Sequence, residues 1–530
     1  MRTGWRATAQ LPIRAERAIL FNSYEFIFLF LPATLAGFFL VARAGHKLAA
    51  LWLALASLFF YGWWNPKFLL LLLGSIAFNY AAGCLIARAQ GTPRSRPLLI
   101  AAVSANLLVL CVFKYADFFI GTLEGVSGRA IPHAGILLPL GISFFTFTQI
   151  AFLVDVHRGL AREYNFIHYL LFVNYFPHLI AGPLLHHKQM MPQFAQESTY
   201  RISAENIAIG LTIFAIGLAK KVLLADSFGA YATPVFDAAR DGMQPKLVVA
   251  WIGALAYTLQ LYFDFSGYSD MAIGLSRMFG VTMPLNFASP YKAQSIIEFW
   301  RRWHMSLSQF LRDYLYVPLG GNRHGKVRRY VNLMITMLLG GLWHGASWTF
   351  VAWGGLHGLY LVVNHAWRGL RERFGAAPTS PSAGGRVAGV AVTFVAVVVA
   401  WVLFRAASFG AAQSMLAGMF GLNGIALPET LGRLLGARSE AMRAFGITFA
   451  GTLHEIQWSV SPAFCFPLLC AGLFIVWALP NTQQWIGMVR DRVSGMTWRP
   501  SALQGIMVGS LFGLSVVCLS KFSEFLYFRF

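Results

Sequence analysis

Apolar runs close to the length of a bilayer crossing recur through almost all of this 530-residue chain, near 25–43, 48–62, 68–87, 97–119, 135–154, 165–182, 205–224, 247–263, 386–404, 463–479 and 502–520. A helix needs about 20 such residues to cross the hydrocarbon core. The runs are continuously apolar rather than alternating, so they predict helices and not the strands of an outer-membrane barrel. With 57% hydrophobic and 12% charged residues, and a mean hydropathy of +0.58, the expected fold class is all-α: one polytopic membrane domain rather than several globular ones.

The formal net charge is +21. Its basic residues sit in short loops between apolar runs, as at 43–47 and 91–96, where they orient spans by the positive-inside rule and do not indicate nucleic-acid binding. Cys84, Cys111, Cys465, Cys470 and Cys518 are scattered, mostly within apolar runs, and lack metal-ligand spacing. They read as small core residues, and no metal site is expected. Residues 1–20 are basic and weakly apolar without a small-residue cleavage site, so they read as a cytoplasmic tail or extension. The remainder divides into a helical core over 21–371, a Gly-, Ala-, Ser- and Pro-rich linker over 372–386, and further helices of the same membrane domain over 387–530. Within that last part, 406–460 is expected to form amphipathic helices lying at an interface.

Two early segments break the pattern. Pro139 and Gly141 interrupt one, while Pro177, Gly182 and Pro183 interrupt another that also carries His178, His186 and His187. Irregular backbone at membrane depth survives only where protein or water satisfies it, so both read as broken or re-entrant elements lining a cavity, or else as kinked spans. Lys220 and Lys221 close the 205–224 run and read as its stop at a cytoplasmic face. No internal repeat is evident.

Polar groups within the apolar frame mark the candidate site. Asp264, Ser266, Tyr268 and Asp270 lie one helical turn apart in pairs, and they either position a catalytic group or hydrogen-bond neighbouring helices. His344 stands in LLGGLWHGASW, where an ionisable side chain at membrane depth costs about 2.5–3.5 kcal/mol if charged and is a functional candidate for that reason. His304 lies forty residues earlier, in WRRWHMSLSQF, across a Pro-Gly turn that can fold the two segments together. A neutral imidazole can take a proton from a hydroxyl while a second polar group orients the reactants. Between 298 and 329, seven basic side chains stand against two acidic ones among Trp and Tyr. Such a segment either anchors the chain at the membrane surface or holds the phosphates of a CoA ester, with Arg301, Arg302, Trp303 and Arg323 as the binding candidates.

The succession FDFSGYSDMAIGLSRMFG, EFWRRWHMSLSQFLRDYLYVPLGGNR and GLWHGASWTFVAWGGLHG closely resembles the membrane-bound O-acyltransferase family, in particular its alginate O-acetylase membrane-subunit subgroup. FNSYEFIFLFLP, LPLGISFFTFTQIAFLVDVHRG, WVLFRA and PNTQQ are similar to that subgroup too, so the resemblance covers about residues 21–530. It implies a helical bundle with broken helices around a central tunnel in the bacterial inner membrane. By this resemblance His344 is the catalytic histidine and His304 the second polar position of the site. It further implies transfer of an acyl group, acetyl above all, from a cytoplasmic thioester to a hydroxyl on the periplasmic side, for O-acetylation of an exported polysaccharide such as alginate. Acetyl-CoA is then a substrate rather than a bound cofactor, with an acyl-carrier protein as the other possible donor, and a periplasmic acyltransferase is the expected protein partner. Two other outcomes stay open: a glycan or lipid-intermediate transporter using the same polar groups, and acylation of cellulose, peptidoglycan, teichoic acid or lipid.

Overall fold

The computed structural model describes residues 20–161, 165–180, 182–374, 382–449, 453, 456–488, 498–519 and 526. Nearly all of the expected tail at 1–20, and the middle of the linker, lie outside these. Among the described residues six helices are long and apolar enough to cross a membrane: His46–Trp64, Pro66–Arg88, Ser95–Ser127, Ala204–Arg240, Leu247–Met278 and Ala383–Arg405. Shorter apolar helices cover Phe26–Ala42, Ile142–His157, Pro462–Ala478 and Ala502–Val517. The only β structure among the described residues is a two-residue parallel pair, Ile425–Ala426 with Ile447–Thr448, beside the short helices Phe409–Met419, Glu429–Leu435 and Ala437–Ala444. The protein is an all-α polytopic membrane protein.

Leu247–Met278 is the axis of the bundle, with nearly every residue from Val249 onward buried. Ala204–Arg240 packs along it. Gly210 faces Gly274 and Gly217 faces Gly267, each so close that a Cβ would strike the opposite backbone carbonyl. Small residues allow such approach where no hydrophobic gradient drives helices together. The two pairs are seven residues apart on both helices, which keeps them in contact over two turns.

Two sequence expectations change here and a third holds. Lys220 and Lys221 do not end a span, because the helix runs on through a π-helical stretch at Lys220–Ala225 to Arg240. Both lysines turn inward instead: Lys220 Nζ lies 2.6 Å from Asp270, and Lys221 Nζ lies 2.7 Å from Asp264 and 2.8 Å from Asp226. Pro139 and Gly141 precede the helix Ile142–His157 rather than breaking it; Gly141 takes φ +70°, a conformation that suits glycine. The segment carrying Pro177 and Pro183 is broken, into Phe166–Asn174 and Phe176–Leu179, both largely buried, and His187–Phe194, buried on one face.

A tight helical hairpin, Gly325–His344 followed by Trp348–Arg373, carries the family-like core motif. Gly341 and Gly354 meet at its crossing, where a Cβ on either would strike the other helix's backbone. The second helix ends at Arg373 and the next begins at Ala383, so helix occupies both ends of the 372–386 linker.

Breaking one buried pair tests this frame. Lys221 is 1% exposed, and Lys221→Met strands two carboxylates, so it should lower stability by about 3–5 kcal/mol. Thermal unfolding of the detergent-solubilised protein reads this directly, and an unchanged midpoint would refute it.

Candidate active site

His304 and His344 come together, with ring centroids 6.3 Å apart. Both are buried. His344 is the last residue of its helix, at the tip of the hairpin, and packs against Trp343, Trp353 and Phe404 with centroids 4.9, 5.2 and 5.2 Å away. The carbonyls that this helix end leaves without helical partners are met from Ser95–Ser127: Lys114 Nζ donates to the Trp343 carbonyl and to Ser143 Oγ, and Tyr115 donates to the Leu342 carbonyl at 3.0 Å. His344 is therefore held by its own helix, by the aromatic wall and by Lys114.

His304 is the hinge between two short helices, Ile296–Arg302 and Met305–Leu311. Its backbone is left-handed, φ +43°, which is unusual for a side chain of this size. Segment 286–288 clamps the hinge on both sides, through Ala288 N–H to the Arg302 carbonyl and Met305 N–H to the Asn286 carbonyl, each 2.9 Å. His304 Nδ1 lies 3.0 Å from Asn286 Oδ1.

A narrow cavity of 20 Å³ opens at His344, lined also by Asp264, Phe265, Trp303, Trp401, Phe404 and Leu526. The four polar residues of Leu247–Met278 thus divide. Asp264 lines the cavity while paired with Lys221 and accepting the Leu526 N–H. Asp270 binds Lys220, Thr482 and Gln483, each at 2.6 Å, and Tyr268 donates to Asn22; these two tie the PNTQQ and FNSYEF segments to the axis. Ser266 is buried beside them.

The candidates for acyl-donor binding divide as well. Trp303 is buried, in the cavity wall, stacked on Phe299 and packed on Trp401. Arg302 is engaged with Glu298 at 2.6 Å, and Arg301 and Arg323 are exposed, none of them lining the cavity.

A second, polar cavity of 330 Å³ lies beneath His186, lined by Asp155, Arg158, Lys188, Gln309, Asp313 and Tyr314 among others. Tyr314 donates to Asp155 at 2.9 Å, and His187 Nδ1 lies 3.4 Å from the same carboxylate. Burial lowers both imidazoles below the ordinary histidine value, an effect that the Asp155 charge only partly offsets. Burial and Asp155 together push the Tyr314 phenol up, so it remains the proton-bearing partner.

Sequence reasoning overlooked Lys114, Asn286 and His357. Lys114 carried the signal already used for His344, an ionisable group inside an apolar run. His357 accepts from Trp300 at 3.3 Å within an aromatic cage that it shares with Trp353 and Trp401. Asn286, in an irregular stretch, carried none.

The bundle buries two imidazoles side by side, and the chain belongs to the membrane-bound O-acyltransferase family, whose model matches residues 58–404 and makes it an integral-membrane acyl-transfer enzyme. It is 40% identical to a peptidoglycan O-acetyltransferase of Helicobacter pylori, over 97% of this chain and 98% of that one. It is 39% identical to a protein of Azotobacter vinelandii named a probable alginate O-acetylase AlgI, over 97% and 100% of the two chains. A teichoic acid D-alanyltransferase of Streptococcus thermophilus is 28% identical over 50% of this chain and 68% of its own length. The protein is an acyltransferase rather than the transporter that its polar groups alone also allowed.

Lys114→Met removes the cation from the helix end that carries His344. Turnover should fall about 10- to 100-fold, the scale of a small misplacement of a reacting group, with normal protein abundance in the membrane. A wild-type rate in Lys114→Met would detach Lys114 from the site.

Proposed function

We propose that this enzyme transfers an acetyl group from acetyl-CoA, on the cytoplasmic side of a bacterial inner membrane, to a hydroxyl presented from the periplasmic side for O-acetylation of an exported polysaccharide. The observation that carries the reading is the pair of buried imidazoles, His304 and His344, in a chain that aligns end to end with two proteins named for O-acetylation. In the reaction the hydroxyl oxygen attacks the thioester carbonyl carbon as an imidazole takes its proton. The tetrahedral intermediate then collapses, the C–S bond breaks, and the departing thiolate recovers a proton. His344 is the base in this scheme, and His304 orients a reactant. The aromatic wall excludes the water that would hydrolyse the thioester.

Exposed Arg301 and Arg323 are suited to the CoA phosphates, at the basic end of the molecule. Alginate is the acceptor that the AlgI-type relatives favour, and peptidoglycan is the second reading, favoured by the Helicobacter pylori relative. A separate periplasmic acyltransferase would complete delivery to the polymer.

His344→Ala should remove ester-linked acetate from the exported polymer, and His304→Ala should lower it by about 10²- to 10⁴-fold in rate, with both variants present in the membrane at normal levels. Base-released acetate from purified alginate and purified peptidoglycan of the parent and variant strains reads both the activity and the acceptor. Full acetylation of both polymers in His344→Ala would overturn the proposal.

A further inference from the structure

The hydrogen bonds around Asn286 determine which nitrogen of His304 carries the proton. Asn286 Oδ1 lies 3.4 Å from the backbone nitrogen of Ser306, a group that only donates, so this face of the amide is its carbonyl oxygen. Ser306 Oγ accepts the Leu184 N–H at 2.9 Å and therefore directs its own proton to the same Oδ1, 3.0 Å away. A carbonyl oxygen has no proton to give, so it can only accept from His304 Nδ1 at 3.0 Å, the 3.4 Å Ser306 N–H contact being the weakest of the three. The proton between them belongs to the imidazole. With Nδ1–H thus engaged, a neutral His304 presents Nε2 as a bare lone pair. That atom is buried and has no hydrogen-bond partner among the described residues.

A nitrogen in this state accepts a hydrogen bond and donates none. It suits a hydroxyl, and it does not suit a carbonyl oxygen. We propose that Asn286, supported by Ser306, is a positioning residue that locks His304 in its Nδ1–H form, so that His304 Nε2 accepts from a non-reacting hydroxyl of the acceptor sugar, leaves the reacting hydroxyl's single proton to His344, and does not hold the thioester carbonyl. The left-handed hinge belongs to the same device, because the Asn286 backbone carbonyl and side chain both bind the turn that His304 occupies. His304 is otherwise faced by the Phe265 and Trp343 rings and by His344, with Lys114 beyond on the Trp343 carbonyl. The inference rests on the reading that these two histidines carry acetyl transfer.

The test measures steady-state transfer from radiolabelled acetyl-CoA by the full-length protein in membranes supplemented with periplasmic extract of the parent strain, with mannuronate oligosaccharides and muropeptides offered as acceptors. Asn286→Leu, which cannot accept, should lose about 10- to 1,000-fold in turnover over acceptor KM, with the KM for acetyl-CoA unchanged, and should cost nothing further in a His304→Ala background. Asn286→Asp keeps an acceptor and adds a charge that favours the imidazolium. It should stay active, with the acidic limb of its pH profile moved to higher pH. Should Asn286→Leu fail to reach the membrane, Asn286→Asp and Ser306→Ala carry the test, the latter raising the acceptor KM alone. A loss expressed only in the acetyl-CoA KM, losses additive with His304→Ala, or an unmoved acidic limb in Asn286→Asp would each overturn the inference. An inactive parent enzyme with both acceptors would instead overturn the proposed function.

Discussion

Two buried ion pairs between one pair of helices hold this molecule together. Lys220 with Asp270 and Lys221 with Asp264 place four ionisable side chains where water is scarce, each of them 14% exposed or less. Such charges are tolerated because each has a partner at 2.6–2.7 Å and further hydrogen bonds around it. The pairs form only if Ala204–Arg240 and Leu247–Met278 lie almost backbone to backbone, as their facing glycines permit. They also recruit distant chain: Asp270 gathers Thr482 and Gln483, and Asp264 gathers the Leu526 N–H. Because Asp264 also lines the cavity at His344, the charge network and the site share a wall.

The site itself is made by two different means. His344 is placed by regular structure, at the end of a helix in a glycine-crossed hairpin, with Lys114 and Tyr115 satisfying its terminal carbonyls. His304 is placed by irregular structure, a left-handed hinge between short helices pinned by segment 286–288. A helix end supplies a fixed position, while a clamped hinge also supplies a fixed tautomer. Rigid mounting of both reduces the reorganisation required when reactants arrive.

Much of this was legible in the sequence, for reasons that differ by residue. Bilayer-length apolar runs marked some spans to within a few residues, as at His46–Trp64 and Ala383–Arg405, and fell short of the longer helices Ser95–Ser127 and Leu247–Met278. They failed at Lys220 and Lys221, because a charge that stops a helix and a charge that pairs across helices look alike until the partner is seen. The same ambiguity attended Asp264 and Asp270: both pair with lysines across the helices, and Asp264 also lines the cavity. His344 stood out because its surroundings were apolar. Asn286 did not, since its importance comes from a hydrogen bond between residues 18 apart in an irregular stretch with no period to read. Basic residues near a motif were weaker guides: of Arg301, Arg302, Trp303 and Arg323, only the uncharged Trp303 reaches the cavity.

The two cavities differ in character. The polar one, with Asp155, His186 and Tyr314, is lined also by Arg158 and Lys188, and Ser95, between Arg94 and Arg96, meets the neighbouring His157 at 2.8 Å. The narrow one, walled by Phe265, Trp303, Trp401 and Phe404 with Asp264 as its acidic group, surrounds His344 at the hairpin tip. Between them runs a continuous line of bonds, from the backbone of Leu184 through Ser306 and Asn286 to His304, and Leu184 lies two residues from His186. The side chains that orient His304 are therefore tied by hydrogen bonds to the segment that lines the polar cavity.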